Sequence, residues 1–121
     1  MTDDLDQELQ ITVDQERDVT VFAVGGELDA ASTPELQASF DQALRGDGGE
    51  SVVLDLRDCT FVDSTGLHAI IDARELARGH GGRLEVCAEA DGPVARVIEV
   101  ALPGVFDLHP TRAAALDALG R

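Results

Sequence analysis

Residues 51–67, Ser51-Val52-Val53-Leu54-Asp55-Leu56-Arg57-Asp58-Cys59-Thr60-Phe61-Val62-Asp63-Ser64-Thr65-Gly66-Leu67, decide the fold. The opening six, Ser51 to Leu56, are apolar enough on both faces to form a central strand. The closing residues start a helix. Asp63 or Ser64 caps it, and Leu67, Ile70, Ile71 and Ala77 recur at helical spacing until Gly79. A buried strand that turns directly into an amphipathic helix is the repeating unit of an α/β sheet.

The flanks extend the same pattern. On the N-terminal side, Leu9, Ile11 and Val13 alternate with polar residues. A polar turn over Asp14–Asp18 then leads to a second strand, Val19–Val24, which Gly25-Gly26 ends. Ser32 and Glu35 have capping-box spacing, Pro34 suits a first helical turn, and Leu36, Phe40, Ala43 and Leu44 form a stripe that stops near Gly46. On the C-terminal side, Leu84–Ala88 predicts a strand. Val94, Val97, Ile98 and Ala101 predict a helix closed by Pro103-Gly104, and Val105–Leu108 a short strand. Thr111 then caps a terminal helix carrying Leu116 and Leu119. The order is ββαβαβαβα: a single α/β domain over residues 9–121 with a mixed, mostly parallel sheet and right-handed crossovers. Residues 1–8 are acidic and polar, and are expected to form a flexible tail.

Composition narrows the function. The 121 residues are 44% hydrophobic and only 3% aromatic, so one aliphatic core is expected. Nine basic residues, all Arg, against 24 acidic ones give a net charge of −15. A nucleic-acid binder needs a cationic face, so direct nucleic-acid binding is excluded, and docking on anionic membranes is disfavoured. No apolar run reaches a membrane span, and the start MTDDLDQELQ has no signal-peptide character, which places the chain in the cytoplasm. Cys59 and Cys87 lie far apart and are read as free thiols. Together with His68, His80 and His109 they show no metal-ligand spacing. No Walker A loop or G-x-G-x-x-G occurs, so no nucleotide cofactor is expected.

The Asp63–Leu67 turn carries the chemistry. A helix N-terminus presents unpaired N–H groups and the positive end of its dipole, so a hydroxyl placed there can carry a phosphoryl group on a stabilised anion. Gly66 leaves the first turn without a side chain, which would let a partner's backbone approach. The same Asp-Ser-Thr run is equally a plain helix cap. Enzymatic alternatives are weaker. Asp63-Ser64-Thr65-Gly66 places its Gly one position too late for an aspartic protease. Ser64 and His68 lie at i and i+4 but lack a nucleophile elbow. Asp55 and Asp58 suggest a receiver domain, yet the chain has no Lys. The chain is therefore read as a non-enzyme.

Gly26-Glu27-Leu28-Asp29, Val53-Leu54-Asp55-Leu56, Phe61 to Leu67, Gly81-Gly82-Arg83-Leu84, Val94 to Ile98 and Pro103 to Phe106, in this order, resemble the STAS domain family of bacterial anti-sigma factor antagonists. The resemblance spans about residues 9–119. It implies a STAS-like fold and a phosphorylation site at Ser64, the hydroxyl directly after the turn aspartate. It further implies that Glu27, Asp29, Asp63, Thr65 and Gly66 contribute to binding an anti-sigma factor serine kinase, with Thr65 the alternative acceptor. In that family the unphosphorylated form binds the kinase and releases a sigma factor, phosphorylation abolishes binding, and a phosphatase restores it. His68 departs from the family's small or hydrophobic residue at that position. A second use of such a domain is as a scaffold or ligand-binding module of a lipid-transport or stressosome-like complex.

Overall fold

Four parallel strands and their crossovers follow from the apolar runs, and an antiparallel strand closes one edge. The computed structural model describes residues 9–44 and 51–120. The expected tail, residues 1–8, and the helix stop near Gly46 lie outside them. The elements are β1 (Gln10–Glu16), β2 (Val19–Leu28), α1 (Thr33–Ala43), β3 (Val52–Val62), α2 (Ser64–Gly79), β4 (Leu84–Cys87), α3 (Pro93–Ala101), β5 (Leu108–His109) and α4 (Arg112–Ala118). The fold is the expected α/β arrangement, a five-stranded sheet ordered β1-β2-β3-β4-β5. β1 pairs antiparallel with β2, and the other neighbours pair in parallel.

Because each parallel strand lies next to the one before it, right-handed crossovers put every connecting helix on the same face. There α1, α2 and α3 cover the main core of Phe22, Val24, Leu36, Phe40, Leu54, Leu56, Ile70, Val86 and Ile98. Phe22 and Phe40 meet edge to face with centroids 4.7 Å apart. Among the described helices only α4 reaches the opposite face, where Ala115 and Leu116 pack on Val19, Val21, Val53 and Cys87. An ion cluster fastens it. Arg112 donates to the buried Asp55 at 2.8 Å and to Glu16 at 2.6 Å, and Arg57 grips Asp55 through two nitrogens at 2.9 Å.

The structure corrects several local expectations. β2 does not end at Gly25-Gly26, nor β3 at Leu56; both continue, to Leu28 and Val62, because each supplies the other's backbone partners. Two register shifts leave β3 with extra residues. Leu56, Cys59 and Val62 face the main core, while Arg57, Asp58, Thr60 and Phe61 face out. The first turn is only Arg17-Asp18, both at positive φ, rather than Asp14–Asp18. Val97 and Ala101 are exposed instead of lying in the α3 stripe, and Ile71 is half-buried. The last strand is Leu108–His109, and Val105 is exposed in the preceding turn.

Candidate functional site

The long β2–β3 pairing brings two distant segments together. Glu27 stands opposite Phe61 and Leu28 opposite Val62, so Glu27–Asp29 ends beside the turn that starts α2. The Asp63 N–H donates to the Leu28 carbonyl at 3.2 Å, tying the turn to the neighbouring strand. Asp63 is the N-cap, and its carboxylate accepts the Gly66 N–H at 3.0 Å. Ser64 and Thr65 are the first two helical residues and are both exposed. Helix geometry gives their N–H groups no partner within the helix.

Gly66 is buried, and its lack of a side chain serves the chain itself rather than an approaching partner. A Cβ there would lie 2.6 Å from the Leu28 carbonyl oxygen and 2.7 Å from a Val62 methyl. The bare helical turn presses against the end of β2, and this fixes the height of Ser64 above the sheet.

Ser32 has a role that its spacing to Glu35 does not suggest. Its side chain makes no cap hydrogen bond to the start of α1. It faces back into the Glu27–Asp29 loop, where its hydroxyl lies 2.8 Å from the Glu27 carbonyl and 3.0 Å from Asp29 Oδ1, and accepts the Asp29 N–H at 3.0 Å. Asp29 Oδ1 also accepts the N–H groups of Ser32 and Ala31 at 3.0 and 3.1 Å. The Ser32 N–H, then the Ser32 hydroxyl, hold the Asp29 carboxyl below the usual carboxylate range. Asp29 thus stays ionised in a fixed loop. The available signal was Asp29 after a strand end, a residue type that suits an Asx turn to the N–H two residues on, with a hydroxyl residue, Ser32, next in the chain.

The five residues expected beside Ser64 therefore fall into two groups. Asp63, Thr65 and Gly66 share its helical turn, and Glu27 and Asp29 reach it through the sheet. His68 is exposed one turn further along α2. Asp55, weighed above as a phosphoacceptor, is locked instead. Burial pushes its carboxyl up, but Arg57 and Arg112 outweigh that and hold it down at about 2. Both cysteines are free and buried, and burial raises both thiols, that of Cys87 to about 11. Among the described residues, no cluster of His, Cys, Asp and Glu could hold a metal, and no helix is long and apolar enough to cross a membrane.

Comparison with known proteins supplies the context for this geometry. The profile of the STAS domain matches residues 10–115. An anti-sigma F factor antagonist of Paenibacillus polymyxa is 31% identical over 102 residues, covering 84% of this chain and 85% of that protein. Among solved structures, an anti-sigma factor antagonist from Mycobacterium paratuberculosis superposes with a TM-score of 0.80 at 24% identity, over 95% of this chain and 97% of the other. The phosphorylated form of the Bacillus cell fate determinant SpoIIAA superposes with a TM-score of 0.68 at 20% identity, over 90% and 98%.

Proposed function

The chain belongs to the STAS domain family of anti-sigma factor antagonists, which are non-enzymatic regulators, and from that membership we propose that it acts by partner switching with Ser64 as the switch. Unphosphorylated, it binds an anti-sigma factor serine kinase in the cytoplasm and sets a sigma factor free. Phosphorylated on Ser64, it lets the kinase go, and a phosphatase resets it. The observation that carries this proposal is an exposed hydroxyl on the first residue of α2, beside a loop whose Asp29 is held ionised. A SpoIIAA of the same fold has been solved in a phosphorylated form, which supports a phosphorylatable turn.

The energetics are sufficient. Phosphoserine adds about 1.5 to 2 negative charges at pH 7. Here they would stand against Asp63 and Glu27 inside a contact surface, whose desolvation would add to the repulsion. A hundredfold loss of affinity requires only about 2.8 kcal/mol. The two helical N–H groups at Ser64 and Thr65 would meanwhile stabilise the phosphate within the free protein.

The test uses the purified serine-kinase anti-sigma factor of the same genome. With ATP, phosphate should map to Ser64, Ser64→Ala should accept none and bind constitutively, and phosphorylated protein should bind at least a hundredfold more weakly. Label confined to Thr65 would move the site. Equal affinity of both forms would end the switch and leave the scaffold role.

A further inference from the structure

Phe61 is the one aromatic among the exposed large hydrophobic residues, 47% accessible, while Phe22 and Phe40 are buried in the core. Its exposure is built into the chain. The register shift between Gly26 and Glu27 sets an extra residue into β3 just before it, so that Cys59 and Val62 turn inward and Thr60 and Phe61 outward. Thr60 pins the shift by donating its hydroxyl to the Gly26 carbonyl at 3.2 Å. Among the described residues no helix covers this end of the sheet: α4, on that face, is seven residues long and packs back at Val53 and Cys87. Phe61 then stands directly opposite Glu27, beside the side-chain-free Gly25 and Gly26 and three residues before Ser64.

We infer that Phe61 is the apolar anchor of the partner-docking surface, and that its occupant is a basic protein face with a pocket for one aromatic ring. The ring supplies buried apolar area, and the bare strand beside it allows close approach. Glu27 stands opposite it in register, Asp58 faces out from the same strand, and Asp29 and Asp63 follow where the two strands end; this concentration of negative charge selects a cationic partner and speeds its encounter. Ser64 follows Phe61 by three residues, where the strand ends and α2 begins, so a phosphate there would bring its charge to the border of this contact. This inference rests on the partner-switching proposal and deepens it by naming the residue that supplies affinity rather than the one that switches it.

The experiment compares wild type, Phe61→Ala, Phe61→Leu and Val100→Ala by calorimetric titration with the same purified anti-sigma kinase, each with a thermal melt. Val100 is 78% exposed on α3 and serves as a control for loss of any surface hydrophobe. Phe61→Ala should bind at least tenfold more weakly at unchanged Tm, Phe61→Leu should recover part of the loss, and Val100→Ala should match wild type. Wild-type affinity in Phe61→Ala, with wild-type binding still abolished by Ser64 phosphorylation, overturns the anchor and leaves the switch standing. No binding by wild type overturns the switch and the anchor together. Loss of self-association in Phe61→Ala on sedimentation, without loss of kinase affinity, would make the occupant a second copy and also overturn the inference.

Discussion

A Cβ at Gly66 would have to displace the backbone carbonyl of Leu28, which is held in turn by the Asp63 N–H. Gly79, at the other end of the same helix, meets nothing within 4 Å. The two glycines therefore predict opposite outcomes for one substitution. Gly66→Ala should cost about 1–3 kcal/mol through overpacking and lower Tm by about 5–10 °C. Gly79→Ala should hold or raise Tm, because alanine restricts the unfolded chain and suits a helix. Calorimetric melts of both variants check this. Equal behaviour would mean that the α2 turn floats free of β2. For the proposed switch the consequence is positional: Ser64 is held at a set height because its second neighbour has no side chain.

Between elements, the ion cluster of Arg112, Asp55, Arg57 and Glu16 fastens the last helix to the sheet. Breaking a buried pair from one side leaves a charge without its full shell. Arg57 remains on Asp55, so Arg112→Ala should cost about 1–3 kcal/mol in urea unfolding rather than the larger penalty of an orphaned ion. Cys87 lies under the same helix, with its thiol 3.4 Å from the Thr111 carbonyl. Alkylation of Cys87, followed by peptide mass spectrometry, should be slow in wild type and faster in Arg112→Ala, with Cys59 unchanged. This cluster also marks the limit of what the sequence reveals. The Asp63 cap, Pro34 in the first turn of α1 and the Thr111 cap were legible because each is decided within four residues. The Asp55–Arg112 bond closes over 57 residues, and no local pattern announces it. Arg57 to Thr60 resembles a polar turn for the same reason, since its strand character comes from Gly25–Leu28 on the neighbouring chain segment. The site was half visible: the Ser64 turn stands in one motif and the Ser32 lock closes within five residues, whereas the outward Phe61 depends on tertiary register.

At the scale of the whole molecule, acid acts on two properties at different pH values. Asp55 has its carboxyl depressed to about 2, so its contribution of about 2 kcal/mol is complete above the unfolded value near 4 and is lost as pH falls from there toward 2. Urea midpoints measured from pH 5 to pH 2 should fall in that window, and the fall should be shallower in Asp55→Asn. The mutual repulsion of −15 charges disappears earlier, at the isoelectric point near 4.2. The sheet meets that moment with unequal edges. β5 offers two residues to a neighbour, while β1 offers seven, with Val13 half exposed and Asp14 and Glu16 among its residues. Charge on an edge strand keeps other strands away, and the loss of net charge at the isoelectric point weakens that guard. Colloidal failure should thus precede denaturation: near pH 4, light scattering rises while far-UV circular dichroism stays native, and the turbidity clears on neutralisation. The long first edge turns the acidity of this protein into its solubility.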